Sequence, residues 1–292
     1  MPGVVASAAP RSVLVIDGEV VPVQTFEGGH ARGEVVSTVI GPQQESKKQI
    51  ARVLYDPISV NVSPSTGTVA RWLEEWSAGK AAPKDGSGAL VDFDGTVRSE
   101  RLFERALISE VTVPAMDAGS REAAYFTLRM HAERIVYGKR DGKVVSVPAS
   151  ARQKVWLASN FRLSLGDLPD NAVAGIDAFT IRRSVDVSHK GRDTRLQAGR
   201  LEFPNLKVTI SGRDVGQWEE WFERFVIAGE NGQDKELNGA IDLLDASLDS
   251  LGTIALSQVG IFALAPAATS ARTEVSRFTA ELYVEKMDIR IK

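Results

Sequence analysis

The feature that most constrains this chain is that it resembles itself. Residues 52–63, RVLYDPISVNVS, lie over residues 200–211, RLEFPNLKVTIS, without a gap. Arg52/Arg200, Val60/Val208 and Ser63/Ser211 are identical, and Val53/Leu201, Tyr55/Phe203, Ile58/Leu206 and Val62/Ile210 keep their apolar character. Three more blocks follow in the same order. Val69, Trp72, Glu74 and Trp76 fall on Val215, Trp218, Glu220 and Phe222, residues 89–94 on 240–245, and Glu122, Phe126, Thr127 and Glu133 on Glu274, Phe278, Thr279 and Glu285. The offset drifts through 148, 146, 151 and 152, as small insertions in surface loops produce. A duplicated module reshapes every later inference about fold and assembly. The expected organisation is one unit at 12–138, a basic connector at 139–154 interrupted by Pro148, and a second unit at 155–292.

Each unit opens with a strand, 12–16 or 161–165, closed by a turn at Asp17-Gly18 or Gly166-Asp167. Ile58, Val60 and Val62 then alternate with Ser59 and Asn61, and Leu206, Val208 and Ile210 with Lys207 and Thr209. Period two with one polar side describes an antiparallel sheet that covers a core on one face. A helix follows at 68–78, where Val69, Trp72, Leu73 and Trp76 recur at helical spacing, as do Val215, Trp218, Trp221, Phe222 and Phe225 in the second copy. Gly79 and Gly229 suit the helix ends. A strand at 89–93 or 240–244 comes next, and a long closing strand of mixed polarity, 124–137 or 275–291, ends each unit. The class is α+β, mainly β: two tandem sandwich or barrel units, each with one short Trp-bearing helix.

Composition narrows the chemistry. With no cysteine, disulfides, thiolate metal sites and cysteine nucleophiles are excluded. His30, His131 and His189 stand far apart, without an HExxH pair, so no metal or cofactor is expected. Thirty-five basic against 38 acidic residues give a net charge of −3, which makes no case for specific nucleic-acid binding. The clusters Arg182-Arg183 and 190–195 lack interleaved aromatics and read as solvated loops. No run approaches the roughly 18 apolar residues of a membrane helix, and the start has no leader pattern, so the expectation is a cytosolic chain without an anchor.

One stretch invites a catalytic reading. LVDFDGTV at 90–97 resembles the nucleophile motif of haloacid-dehalogenase-type phosphatases. That resemblance implies Asp92 as nucleophile, Asp94 as general acid/base, and Mg²⁺ held by both. Three features oppose it. The chain offers about one clear helix per unit, the later lysine and acidic pair have no counterpart beyond Asp242, Asp245 and Asp249, and the duplicate reads AIDLLDAS without the GT turn. The plainer reading ends a strand at Phe93 and turns at Asp94-Gly95. No catalytic, cofactor or metal residue is therefore assigned.

The ordered set of elements resembles the tail-tube proteins of phages and contractile injection systems. The carriers are the strand ISVNV (58–62) or LKVTI (206–210), the short helix bearing Trp72 or Trp218, and the closing strand with Glu133 or Glu285. A standard tube subunit has one such unit; here there are two, and the glycine-rich segment that often precedes the central strand is only loosely echoed by Ala198-Gly199. The resemblance implies six units per ring, hence three chains in a pseudo-hexamer, self-association into a hollow tube, and sheath, baseplate or terminator proteins as partners, within a virion tail or tail-like particle assembled in the host cytoplasm. A hub, initiator or adaptor with the same fold is the alternative station. Ser59, Asn61, Lys207 and Thr209 are candidates for a wet inner face through which DNA or other cargo passes.

Overall fold

The computed structural model describes residues 10–41, 45–64, 67–139, 142–147, 156–190, 193–267 and 276–292. In the first half these form β1 (Arg11–Ile16), β2 (Glu19–Val23), β3 (Thr25–Gly28), β4 (Ala31–Ile40), β5 (Glu45–Tyr55), β6 (Ile58–Val62), α1 (Thr68–Ser77), β7 (Lys84–Val91), β8 (Val97–Val113), β9 (Met116–Asp117), β10 (Phe126–His131) and β11 (Arg134–Tyr137). The second half contains β12 (Phe161–Leu165), β13 (Val173–Ile176), β14 (Phe179–Lys190), β15 (Asp193–Glu202), β16 (Leu206–Ser211), α2 (Gly216–Phe222), β17 (Leu237–Leu244), β18 (Ser250–Pro266) and β19 (Arg277–Ile291). The class expected from the sequence, mainly β with two short helices, is the class observed.

The halves follow one plan. Strands of the first hydrogen-bond in the order β2–β1–β7–β8–β10–β6–β3, and those of the second in the order β12–β17–β18–β19–β16–β13. Irregularities recur at the same places. Arg105 and Gln258 take positive φ, 50° and 54°, where the β7–β8 and β17–β18 registers slip by one. Such a bulge turns one N–H out of the ladder and sharpens the local twist. Asp85 Oδ1 accepts the Arg105 N–H at 2.7 Å, and Asn238 Oδ1 accepts that of Gln258 at 3.1 Å.

Ile58, Val60 and Val62 are buried at every second position, as are Leu206, Val208 and Ile210. Their polar neighbours turn away from the core, and Asn61 Oδ1 accepts the Thr127 hydroxyl at 2.8 Å. Helix α1 closes over this sheet with Val69, Trp72, Leu73 and Trp76 inward. Trp76 Nε1 donates to the Ile108 carbonyl at 2.8 Å, which lets the indole be fully buried without an orphaned donor. Glu19 of β2 accepts the Thr68 N–H and hydroxyl at the helix start. Those two bonds hold its carboxyl below the ordinary value. Gly79, at φ 92°, ends the helix.

In α2 the Trp218 and Trp221 rings meet edge to face, 5.9 Å between centroids. A π turn over Glu223–Ile227 then brings Phe225 inward and leaves Phe222 half-buried. One contiguous apolar core draws on both halves. The C-terminal end of α1 is tied to β19: Ser77 Oγ accepts the Ile289 N–H at 2.9 Å, and Glu74 accepts that of Ile291 at 2.8 Å.

Some boundaries differ from the expectation. Strand β7 ends at Val91, and Phe93 lies outside it, 68% exposed. The closing strand of the first half is broken between β10 and β11 at Ala132-Glu133, whereas β19 runs unbroken. Within the expected connector, Val145 is buried beside Val13, Ala89 and Val91, and Lys143 pairs with Glu100 at 2.8 Å. Pro148, Lys154, Val155, Glu274 and Val275 lie outside the described residues.

Candidate assembly surface

The two halves are stitched through their sheets. In β8, residues 97–106 pair with β7; beyond them, 110–113 pair antiparallel with the start of β14, as Phe179↔Val113, Thr180↔Thr112, Ile181↔Val111 and Arg182↔Glu110. Thus the β14–β15 hairpin of the second half takes over the edge of the first half's sheet where β7 leaves it. Phe179, Ile181, Val111 and Val113 are all buried at this seam, each contributing about 1.5–3 kcal/mol of apolar burial. Thr112 and Thr180 join their hydroxyls at 2.8 Å, and Arg182 approaches Glu110 at 3.8 Å. A smaller stitch, β9 on β13, runs the same way between halves.

Glu133, in the break between β10 and β11, clamps the seam. Its Oε1 accepts the Leu196 N–H of β15 at 3.1 Å, and its Oε2 receives Arg195 at 3.0 Å and Arg105 at 3.1 Å. Burial alone raises this carboxyl. The Leu196 N–H and the guanidinium groups of Arg105 and Arg195 outweigh it and hold the group below the ordinary carboxylate value. An open polar cleft of about 310 Å³ lies beside the clamp, bordered by Tyr55, Glu104, Arg134 and Asp193.

Arg183 is the second fastener. It leaves β14 buried, donates to the Trp76 carbonyl at 2.9 Å and the Gly199 carbonyl at 3.1 Å, and stacks its guanidinium 5.8 Å from the Trp76 ring centre. Burial lowers its pKa. These placements correct the expectation of solvated loops at Arg182-Arg183 and 190–195. Arg182, Arg183 and Lys190 belong to β14 and residues 193–195 to β15; residues 191–192 lie outside the described set. Arg183 and Arg195 carry seam contacts.

The same two surfaces recur at the ends of the molecule. The β4–β5 hairpin of the first half has the register and bulge of β14–β15: Glu34↔Arg52 slips to Val35↔Ile50 as Arg183↔Leu201 slips to Val185↔Ala198. Among the described residues β4–β5 pairs with no third strand. Its Val35, Val39 and Ile50 are 62%, 63% and 68% exposed, far more than isolated surface apolars on a polar hairpin require. At the other end, β18 pairs with β17 only as far as Val259, and residues 260–266 have β19 alone as a described strand partner. Each end therefore presents one half of the seam found inside.

Ser59, Asn61, Lys207 and Thr209 sit on the sheet faces away from the core, with Lys207 exposed. The DxD pair is a turn. Asp92 follows β7, which is antiparallel to both neighbours, and meets Arg98 at 2.6 Å. Asp94 is exposed and accepts the Thr96 N–H at 2.9 Å, the bond that lowers its pKa. This differs from the carboxyl edge of a parallel sheet that the phosphatase resemblance implies. His131 is half-buried, and burial holds its imidazole below the ordinary value. Among the described residues no cluster of His, Asp and Glu is arranged to hold a metal, and no helix is long and apolar enough to cross a membrane.

The chain is partly similar to solved structures. A chain of an extracellular contractile injection system, the PVC sheath–tube complex in its extended state, shares 18% identity at a TM-score of 0.39, over 48% of this chain and 95% of its own. The tube-terminating cap of the anti-feeding prophage shares 20% at 0.39, over 48% and 96%. Hcp1 from Flavobacterium johnsoniae shares 18% at 0.29, over 46% and 98%. Each likeness spans about half of this chain. No protein-family model and no curated protein matches it.

Proposed function

We propose that this chain is a structural subunit of a phage tail or phage-tail-like contractile injection particle, in which copies join head to tail and three of them close a pseudo-hexameric ring of a hollow inner tube. One observation carries the reading: the seam that joins β14 to β8 inside the chain is offered again, one half at each end of the molecule, by β4 and by the outer edge of β18. A heterologous contact of this kind produces a ring when its rotation closes and a filament when it does not. Closure also removes the exposed strand edges that otherwise aggregate. The shared strand order supports a tandem copy of one ancestral unit, with units at 12–138 and 155–292. The partners fitting this role are sheath, terminator and baseplate proteins, and the role requires no catalysis, cofactor or specific nucleic-acid contact.

Mass measurement of the purified protein in solution, together with negative-stain imaging, tests the reading. Trimeric rings with sixfold pseudo-symmetry that stack into tubes are the expected result, and finite unstacked rings would move the role to a hub or terminator. A particle that remains monomeric at high concentration refutes it.

A further inference from the structure

We infer that the contact between neighbouring copies is a strand-on-strand seam in a defined register, with Arg32, Ala31 and His30 of one copy opposite Ala263, Leu264 and Ala265 of the next, clamped by Glu285 on Lys47. This deepens the ring reading and rests on it.

The register comes from the internal seam. Relative to the first half, β18 repeats the pairings of β8: Thr127↔Thr112 with Thr279↔Ala265, Leu128↔Val111 with Ala280↔Leu264, and Arg129↔Glu110 with Glu281↔Ala263. Thus 110–113 correspond to 263–266. Through the matched hairpin registers, 181–182 on β14 correspond to Ala31 and Arg32 at the start of β4, and Thr180 to His30 just before it; Gly29, left-handed at φ 67° and buried, ends the correspondence. Transferring the three internal pairs Thr180↔Thr112, Ile181↔Val111 and Arg182↔Glu110 yields the three proposed ones. Strand addition of this kind supplies main-chain hydrogen bonds for affinity and alternate side chains for specificity.

The clamp transfers by the same mapping. Glu133 stands opposite the bulged Arg105, and Glu285 opposite the bulged Gln258. Leu196 and Arg195 pair in β15 as Lys48 and Lys47 pair in β5, across from Val187, Ser188, Ser37 and Thr38. Internally, Glu133 takes the Leu196 N–H and the Arg195 side chain. Between copies, Glu285 takes the Lys48 N–H and the Lys47 ammonium. Both Glu285 and Lys47 are exposed, and neither has an ion pair among the described residues. The acid and the base retain their signs across the repeat, although Arg has become Lys. That is the charge complementarity a second copy would use.

The absence of native cysteine makes the test clean. His30 and Ala265 are the counterparts of Thr180 and Thr112, whose hydroxyl oxygens lie 2.8 Å apart. In the variant carrying His30→Cys and Ala265→Cys, mild oxidation should yield covalent oligomers up to the closed ring, and neither single variant should do so. Independently, Lys47→Glu and Glu285→Lys should each weaken self-association by about tenfold or more. The two together should restore it, with circular dichroism and Tm of the monomer unchanged throughout. If wild-type rings form yet the cysteine pair fails to cross-link, or the charge reversals assemble as wild type, the seam is wrong while the ring stands. If wild-type protein never associates, both are wrong.

Discussion

The internal clamp allows one prediction to be worked through in numbers. In Glu133→Gln the side chain keeps its length and one acceptor oxygen but loses its charge, with three donors facing it: the Leu196 N–H, Arg195 and Arg105. A hydrogen bond to a charged group contributes about 1.5–3 kcal/mol. The guanidinium side chains of Arg105 and Arg195 are 53% and 63% exposed, so solvent screens their share to about 0–1 kcal/mol each. Gln still accepts the Leu196 N–H, more weakly. The net cost at neutral pH is about 1–2 kcal/mol, which for a chain of this size lowers Tm by about 2–4 °C. The sign with pH follows from the depressed carboxyl. Its contribution is fully present above the ordinary value near 4.5, because the unfolded chain is ionised there too. It is lost as pH falls through the folded value, where the native carboxylate is finally protonated. Gln does not titrate. Thermal melts of wild type and Glu133→Gln at pH 7, 5, 4 and 3 should therefore converge below pH 4.5. Equal melts at pH 7, or a gap that persists unchanged at pH 3, would refute the assignment of Glu133 as an ionised clamp.

Two other substitutions probe the same architecture. Arg183→Met should cost less than about 1 kcal/mol in urea unfolding, because the Nε of the buried guanidinium has no partner among the described residues and the Trp76 carbonyl keeps the Gly79 N–H, whereas Arg183→Ala should cost about 2–4 kcal/mol through the cavity it opens beside Trp76. Gly86 and Gly239 occupy equivalent bulge positions where an added Cβ would strike the Val15 and Ser164 carbonyl oxygens, so Gly86→Ala and Gly239→Ala should each lower stability by about 1–3 kcal/mol, measured by the same unfolding.

Legibility in the sequence followed burial geometry. The strand at 58–62 and its copy at 206–210 could be read because one face is buried and the other wet, which prints period two directly. The tryptophan helices were legible for the same reason at helical period, although the π turn after Phe222 shifted which aromatic faces inward. The hairpins β4–β5 and β14–β15 were not read. Apart from the start of β14, no position of β4, β14 or β15 is fully buried, so no apolar face stands out along them, and their two-strand pairing leaves little trace in spacing. Arg183 and Arg195 were misplaced because a cationic doublet looks the same in a solvated loop and in a seam; only the approach of a distant strand distinguishes them. Glu133 and Glu285 were visible as a matched pair. Their role depends on β15, which is remote in sequence, and no local signal could have supplied it.

The differences between the internal and external seams bear on how such a chain would assemble without sticking to itself wrongly. Inside, Phe179 and Ile181 bury against Val113 and Val111, and Arg183 reaches to Trp76. In the proposed outer seam the counterpart of Ile181 against Val111 is Ala31 against Leu264, with Gly33 where Arg183 stands. The internal seam forms within one chain, at an effective concentration no bimolecular contact can match, and its larger apolar side chains give β14 a strong preference for β8. In the proposed ring the outer strands would meet a partner from solution and meanwhile have to avoid random edge pairing. Lys47 and Lys48 on β5, Arg32 on β4 and Pro266 at the end of β18 do that, since edge charges and a missing N–H penalise every pairing except one that neutralises them. In the proposed seam Glu285 would neutralise Lys47. Hence the seam with fewer apolar contacts is also the one that needs its charge pair most, and reversing Lys47 should disturb assembly far more than reversing Arg195 disturbs folding.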